Sequence, residues 1–284
     1  MNTQNKVFII LIALLGIFTS CTESDEMQVR GEGKTISETV EHAEFTSIDV
    51  NADIDIVLSQ GKTFEIEVEA QENIIDYVLL ENVDNVLTAK MDNSITVRPT
   101  EPVTLYIQMP QIRSITSNGT GDITFKDSGF EEIENLTIIQ RGTGNINCSF
   151  AKAKRVIVNC DQRGDVTVSG DLNDIIVTNA SSGLIQYKGN AVNSNIKSTG
   201  NGDIIFTGST KFQDILMKGT GNYFGSEFIS QETSITVNGT GFAEIFVVKS
   251  LEAWINGNGD IFCYGDPKID FTNNGNGNLI IPNK

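Results

Sequence analysis

A glycine phrase recurs through the second half of the chain and constrains its fold more than any other feature. It reads GTGDI at Gly119–Ile123, GTGNI at Gly142–Ile146 and GNGDI at both Gly200–Ile204 and Gly257–Ile261. With the second glycine of each phrase as a reference, nine units follow one another in steps of 18 to 23 residues: Gly121, Gly144, Gly164, Gly183, Gly202, Gly221, Gly241, Gly259 and Gly277. Such regular spacing makes a repeat architecture the first hypothesis.

Apolar residues occupy fixed positions within these units. Positions two and four after the reference glycine are apolar in nearly every unit, as in Ile204 and Phe206, and another apolar column lies six residues before the glycine, as in Ile196. A spacing of two is the period of a β-strand. Each unit is therefore predicted to hold two short strands that meet at the glycine, and no helical spacing is present.

Two strands and a corner in about 19 residues describe one coil of a parallel β-helix, in which coils stack about 4.8 Å apart. A right hand is expected because crossovers between parallel strands are almost always right-handed. A β-propeller would need about 40 residues per blade, and odd and even units do not alternate. We predict an all-β fold, a right-handed parallel β-helix of about 19-residue coils with a β-rich N-terminal cap.

The glycines are expected at the corners because glycine tolerates a positive φ or a close backbone approach. The residue after the reference glycine is Asp or Asn in all units except those with Leu184 and Phe242. Short polar side chains of this kind bond to nearby backbone at turns and form ladders between coils. The repeated phrase is thus predicted to be a structural corner.

The N-terminal segments predict export. Residues 1–20 read as a signal peptide, because the apolar run Val7–Phe18 is shorter than the ~20 residues of a membrane span. The letters FTSC before Cys21 resemble a bacterial lipobox, which predicts lipid attachment at Cys21, although Phe18 stands where Leu is usual; a plain signal peptide is the alternative. Residues 21–43 are polar and acidic, which predicts a flexible tether. The expected location is the outer membrane, with surface exposure.

The remaining chain divides into residues 44–112, predicted to form the β-rich cap, and residues 113–284, predicted to form the regular coils. Before Gly119 the pattern is less regular, and Ala52 and Asn93 are candidates for the reference position. Local strands are expected near Phe64–Ala70 and Val103–Met109. They would shield the first coil, because an open strand edge invites aggregation.

The run MPQIRSITSNGTGDITF, followed by the repeated GxGDI and GxGNI phrases, resembles the GIN domain family of auto-transporter adhesin heads. The resemblance covers roughly residues 45–283. It implies an exported or lipid-anchored protein, a β-helix related to pectin-lyase-like coils, no recognised catalytic residues, and an adhesive role. The chain departs from the pattern at Gln162–Gly164 and Ser181–Gly183, where the first glycine is lost, so those corners are expected to turn differently.

Composition argues against nucleic acid as a partner. The formal charge is −17, and nucleic-acid binding depends on Lys and Arg that neutralise phosphates. The one dense basic stretch, Lys152, Lys154 and Arg155, is predicted to be a solvated turn. Binding of nucleic acid is therefore not expected.

The sequence offers little chemistry. The single histidine, His42, has no Cys, Asp or Glu at metal-ligand spacing around it, so neither a zinc site nor a catalytic triad is expected. Cys148, Cys160 and Cys263 are predicted to be buried thiols, with a Cys148–Cys160 disulfide as the alternative. Asp122 and Asp165 are expected two coils apart, at about 10 Å, which is loose for a shared ion. A catalytic set of corner carboxylates is not expected. We predict no cofactor, no metal and no enzymatic activity.

Outward positions are more informative. If positions two and four point inward, position three points outward, and in the later coils it becomes apolar. Together with corner and second-strand residues this predicts an apolar contact surface of Ile205, Phe224, Phe242, Trp254, Phe262 and Ile280. Contiguous exposed apolar surface marks contact sites, although a loop or the cap folding over it is the alternative.

These observations predict a non-catalytic cell-envelope lipoprotein that acts as a binding or adhesion scaffold. Its partners would be a glycan or protein at a cell surface, and the membrane through the N-terminal lipid. The alternative is a module that binds or degrades polysaccharide in a groove along the helix. A homo-oligomer joined through the apolar surface is a third hypothesis.

Overall fold

The computed structural model describes residues 28–126 and 130–282, so the predicted signal peptide and Cys21 lie outside the described residues. One 3₁₀ helix spans Ile75–Tyr77, and within the described chain no helix is long and apolar enough to cross a membrane. The strands are β1 Gln28–Arg30, β2 Thr35–Val40, β3 Ser47–Val50, β4 Asp55–Gln60, β5 Glu65–Gln71, β6 Val78–Val83, β7 Val86–Met91, β8 Thr96–Arg98, β9 Thr104–Met109, β10 Ser114–Ser117, β11 Ile123–Phe125, β12 Phe130–Gln140, β13 Ile146–Cys160, β14 Val166–Asn179, β15 Ile185–Ser198, β16 Ile204–Met217, β17 Tyr223–Val237, β18 Ala243–Ile255, β19 Ile261–Gly265, β20 Lys268–Asn273 and β21 Leu279–Ile280.

The predicted parallel β-helix is confirmed. Each strand from β12 to β17 pairs in parallel with the next, and β18 pairs in parallel with both β19 and β20. The register advances one coil at a time, so that Ile185 lies beside Ile204 and Ile204 beside Tyr223. Equivalent residues therefore stack on one another along the axis. The right hand stays a prediction.

The strands are longer than predicted. The sequence pattern indicated two short strands per coil, but strands such as β16 run without interruption from one glycine corner to the next. The chain bends within these strands, and at the bend Gly170 and Gly208 adopt φ values of +140° and +120°. A glycine can bend the strand there while the flanking residues keep their pairing, because it has no Cβ.

The corner glycines are required by close stacking of backbone on backbone. A Cβ added to Gly221 would lie 2.2 Å from the carbonyl oxygen of Gly202, and one added to Gly241 would lie 2.0 Å from that of Gly221. These corners do not use a positive φ, since Gly33, Gly170, Gly189, Gly208 and Gly265 are the glycines with positive φ in the described chain. Of the two reasons considered from sequence, close approach is the one that applies.

The N-terminal coils are not stacked in chain order. The β3 and β4 strands pair in parallel with β10 and β11 on one side and with β7 and β9 on the other. The segment 86–109 therefore lies beneath the coil that precedes it in sequence. Its outer edges are covered by antiparallel strands, since β6 pairs with β7 and β5 pairs with β9. The strands expected near 64–70 and 103–109 correspond to β5 and β9, which thus pair with each other.

The candidate corner residues of this region need correction. Gly119, the first glycine of its phrase, stacks on Ala52, whereas the reference glycine Gly121 stacks on Ile54. Ala52 is therefore two residues short of the reference position. In the coil below, the residue stacked on Ile54 should hold the reference position. Extending the β3–β7 register would make that residue Asn93, but the β4–β9 register makes it Val103. The insertion between these residues contains β8, and it obscured the register.

The predicted flexible tether is wrong for residues 28–40. The β1 strand pairs in parallel with β8, and β2 pairs antiparallel with β5 along its whole length. Polar composition misled the prediction because β2 is an edge strand whose side chains face solvent or are half-buried. Its backbone is satisfied by the ladder, so it needs few apolar side chains to hold its place.

The inward columns form the core. Ile123, Ile146, Ile204 and Ile261 are fully or almost fully buried, as are their column neighbours. In the final coil Phe271 and Ile281 occupy inward positions but are 37% and 48% exposed, because no further described coil covers them. Within the described residues, strands cover the N-terminal end of the core, whereas these two side chains at the other end stay partly exposed.

Close stacking at the corners predicts that replacing a corner glycine with alanine, which adds only a methyl group, destabilises the fold. Gly221→Ala should lower the free energy of unfolding by about 1–3 kcal/mol, because the methyl group would collide with backbone that cannot move aside. Thr220→Ala, an exposed change in the same corner, should stay within about 0.5 kcal/mol. Urea unfolding of both variants measures this, and equal stabilities would contradict the stacking explanation.

Candidate functional site

The corner carboxylates bind backbone amides of the neighbouring coil. Asp122 Oδ1 accepts a hydrogen bond from the Asn145 backbone N–H at 2.7 Å, and Asn145 Oδ1 accepts one from Asp165 at 3.2 Å. Asp203 accepts from Asn222 at 2.8 Å in the same way. The ladder predicted between coils is present, and it occupies these carboxylates with structural bonds.

Five of the six predicted contact residues lie together on one face. We call Ile205, Phe224, Phe242, Phe262 and Ile280 the apolar ladder. Ile205 pairs directly with Phe224, Phe224 with Glu244, Glu244 with Phe262, and Phe262 with Ile280, so four of the five share one outward column. All five side chains are half-buried, with part of each reaching solvent.

Phe242 makes the ladder continuous. Glu244 interrupts the column between Phe224 and Phe262, but the Phe242 ring from the corner position fills the gap. Its centroid lies 5.3 Å from that of Phe224 and 5.9 Å from that of Phe262, with edge-to-face angles of 88° and 87°. Such pairs contribute about 0.5–1.5 kcal/mol beyond burial. The rings therefore hold each other in a fixed arrangement.

Glu244, which lies in the ladder's own column, is held by a side-chain hydrogen bond. Its Oε2 accepts from the Ser226 hydroxyl at 3.0 Å. A cavity of about 340 Å³ adjoins the ladder here, and Ile205, Phe224, Glu227 and Glu244 are among its lining residues. The ladder thus offers apolar surface next to carboxylates.

Trp254 does not belong to this face. It lies on β18 before the corner Gly257–Gly259, whereas Phe262 lies on β19 after it. Its column neighbours are Thr236 and Thr272. The sequence pattern showed that Trp254 points outward but did not show that the corner separates it from the phenylalanines.

The basic stretch forms ion pairs between coils. Lys154 Nζ lies 2.7 Å from Glu134, and Lys152 Nζ lies 3.7 Å from Glu132. The Glu134 hydrogen bond raises the pKa of Lys154 above its usual value. Exposed pairs of this kind contribute little to stability. The stretch is a paired surface and offers no cluster of unneutralised cations.

The thiols are free and buried. Burial raises the pKa of Cys263 to about 11 and that of Cys160 to about 12, where nearby Asp161 and Asp165 add to the effect. Burial also raises the pKa of Cys148. None of the three is in a disulfide. Over the described ranges, no group of three His, Cys, Asp or Glu side chains is placed to hold a metal ion.

Sequence reasoning missed a second surface. A concave groove of about 480 Å³ crosses the outer side of the long strands, with Phe212 and Asp214 near its middle and Arg155 and Glu252 towards its ends. Its residues are unremarkable in the sequence, because the groove lies between two outward columns that only the coil-by-coil register brings into line. Only the one-coil spacing of outward polar residues, as in Asn195 and Asp214, hinted that such side chains align.

Comparison with known proteins agrees with this fold. The sequence model of a family described as putative auto-transporter adhesin, head GIN domain, matches residues 44–193 and 173–267. No curated protein is similar in sequence. The resemblance inferred from the glycine phrases is thereby confirmed.

Solved structures share the fold at low identity. Putative adhesins from Parabacteroides distasonis ATCC 8503 and Parabacteroides merdae ATCC 43184 superpose with TM-scores of 0.69 and 0.66 at 19% and 18% identity, covering 88% and 89% of this chain and 98% and 99% of theirs. A protein from Parabacteroides distasonis ATCC 8503 described as a putative lipid binding protein has a TM-score of 0.61 at 16% identity, with 89% and 99% covered. Likeness at this identity shows the fold alone.

The raised thiol pKa values predict that the buried cysteines become reactive one after another as the pH rises. Thiols react as thiolates, so maleimide should label Cys160 and Cys263 hardly at all at pH 8 in the folded protein and rapidly after denaturation. As the pH rises, Cys263 should become reactive first, near pH 11, and Cys160 later. Peptide mass spectrometry resolves each site, and native labelling with a midpoint near pH 8.5 would contradict burial as the cause.

Proposed function

We propose that this protein, which belongs to the putative auto-transporter adhesin head GIN domain family, is a non-catalytic scaffold that binds a ligand at a cell surface through the apolar ladder. The observation that carries the proposal is the continuous row of partly exposed phenylalanine rings on the later coils. Contiguous apolar surface of this kind marks contact sites. Family membership supports a surface or exported location.

The stacked coils support a scaffold role. Parallel pairing continues from β10 through β20, and although the register shifts within three of these pairings, the outward column of the ladder stays aligned from coil to coil. A rigid surface loses little conformational freedom on binding, which favours affinity. The ladder is therefore preorganised for a partner with a complementary apolar surface.

Ligand binding at the ladder is favoured over polysaccharide degradation at the glycine corners. Acid–base cleavage needs a pair of free carboxyl groups about 5–10 Å apart. The corner carboxylates accept backbone hydrogen bonds, as at Asp122 and Asp203. Their arrangement serves the coil, and we assign them no catalytic role.

The anchor is part of the proposal. We infer that Cys21 carries lipid and that residues 22–27 connect it to the folded body, which would hold the solenoid at the outer membrane with its surface exposed. Stable anchoring by lipid follows from buried acyl chains. This rests on the FTSC run and on family membership.

If Cys21 carries lipid, the association of the protein with membranes should depend on that single residue. When the full chain is expressed in a bacterium with lipoprotein processing, it should sediment with membranes and incorporate labelled palmitate. Cys21→Ser should abolish labelling, whereas Cys263→Ser should retain it. Palmitate labelling with fractionation measures both, and a labelled Cys21→Ser protein would rule out this anchor.

If the ladder is the contact surface, introducing one negative charge into it should weaken ligand binding. We expect the purified protein to bind specific members of a glycan and matrix-protein array, and Phe262→Asp to reduce that binding at least tenfold, because a carboxylate would be desolvated at the contact. Thr124→Asp adds the same charge to the same outward column in an early coil and should bind normally. Array fluorescence, followed by titration of the positives, provides the measurement.

Two further arms separate the alternatives. Vesicles of neutral phospholipid are included because a protein of the same fold is described as lipid-binding, and light scattering of wild type and Phe224→Asp tests whether the ladder joins two copies. Binding lost only with EDTA would point to a metal-bridged site instead. The ladder would be refuted as a contact surface if no array member bound the wild type more strongly than it bound Phe262→Asp.

A further inference from the structure

The groove extends along the solenoid axis. Its lining runs from Arg155 to Ser250 in one outward column, which spans five coil steps, or about 24 Å at the spacing of parallel strands. A second outward column, with Asn195, Asp214 and Glu252, forms the other wall. The groove is therefore long, narrow and open to a chain-like ligand.

The middle of the groove is acidic, with acceptors free to bind. At one end Asp174 already pairs with Arg155 at 3.0 Å and accepts from Asn193 at 2.8 Å, and these contacts lower its pKa against the opposing effect of burial. In contrast, Glu232 and Glu252 make no salt bridge with any described residue. Asp174 is thus already neutralised by a partner within the protein, whereas Glu232 and Glu252 have no such cation in the described chain.

An aromatic ring stands among these polar groups. Phe212 is 49% exposed and lines the groove. Its column neighbours are Asn193 and Glu232, so it is an isolated apolar platform in a polar wall. Exposing such a ring is unfavourable by itself. A ligand with one apolar face and a polar rim would satisfy both the ring and its neighbours.

The floor beneath the ring is polar as well. The inward column that holds Ile175 and Leu251 elsewhere contains Ser194, Gln213 and Thr233 in these three coils. Gln213 donates to the Tyr223 hydroxyl at 2.6 Å and accepts from Thr233 at 3.4 Å. Connected networks of this kind rigidify their surroundings.

Ser194 departs from this network. It lines the groove, and its hydroxyl is buried without a hydrogen-bond partner in the described structure. A buried polar atom without a partner is rare in folded proteins. Its side chain lies in the inward column with those of Gln213 and Thr233, so it belongs to the polar layer beneath Phe212.

We propose that the groove binds a neutral oligosaccharide lying along the solenoid axis. One sugar ring stacks its apolar C–H face on Phe212, and its hydroxyls donate to Asp214 and Glu232. The amides of Asn193 and Asn195 each donate one N–H to a groove carboxylate, Asp174 and Asp214 respectively, and their second N–H donates to ring and hydroxyl oxygens of the sugar. The site is distinct from the apolar ladder, which lies on the strand segments just after the glycine corner.

The charge and geometry of the groove select this ligand class. Carboxylates without counterions repel uronate or sulfate groups, so an anionic polysaccharide is disfavoured. An extended basic peptide presents side chains to one side about 6.8 Å apart, which does not match side chains that repeat at every coil. Sugar hydroxyls, which both donate and accept, match the mixture of carboxylates and amides better.

The test is calorimetric titration with defined hexasaccharides. Hexamers of glucose, mannose, galactose and N-acetylglucosamine are compared with hexagalacturonate and hexalysine. We expect at least one neutral hexamer to bind, and Phe212→Ala and Glu232→Gln each to weaken it at least tenfold. Ile229→Ala, an exposed apolar change outside the groove, and Asp270→Asn, in the outward column of Asp214 but beyond the lining, should leave affinity unchanged.

Circular dichroism and thermal unfolding verify that each variant is folded. Asp214→Asn supplies a second groove variant in case Phe212→Ala does not fold. Binding of hexalysine or hexagalacturonate without any neutral hexamer would overturn the proposal. So would neutral binding insensitive to all three groove variants, or no binding by any hexamer. Phe262→Asp should bind the hexamer normally, which separates this site from the ladder.

Discussion

The close approach of backbone to backbone at the glycine corners is the constraint on which this structure depends. At Gly221 and Gly241 the carbonyl oxygen of the coil below occupies the place where a Cβ would be. Each corner is thereby fixed directly above the previous one, and the strands that leave it begin in register. The inward and outward columns follow from that alignment, as do the hydrogen bonds that link Asp122 to Asn145 and Asp203 to Asn222.

Once the columns are fixed, the surface can vary without disturbing the fold. Inward positions must fill a constant cross-section and are therefore apolar and buried in most coils. Outward positions carry no such requirement, so threonine and asparagine in early coils give way to phenylalanine in later ones. The ladder and the groove are both made of outward residues of the stacked coils. Function can thus be placed on a face while the repeat maintains stability.

The sequence predicted what repeats and failed where the chain leaves the repeat. Periodicity identified the buried columns, the glycine corners and the outward direction of Phe224 and Phe262. It did not identify β2, because an edge strand held by main-chain bonds needs no apolar pattern. It could not reveal that the segment 86–109 lies beneath an earlier coil, since stacking order depends on which strand edges meet. The groove was missed for a related reason, since it forms between two aligned columns of ordinary polar residues in which a single exposed ring, Phe212, stands out only once the columns are known.

The polar floor beneath Phe212 gives the strongest reason to regard the groove as more than an accident of shape. A solenoid gains stability by stacking like apolar residues, and Ile175 and Leu251 do so in the same column. Ser194, Gln213 and Thr233 give up part of that stabilisation, because buried polar groups cost free energy unless they are fully bonded. Two of them are bonded to neighbours, and the hydroxyl of Ser194 is not. These substitutions coincide with the coils that carry the exposed ring and the free carboxylates. Polar side chains in the core directly beneath the groove are expected if rigidity at a binding site matters more than maximal stability.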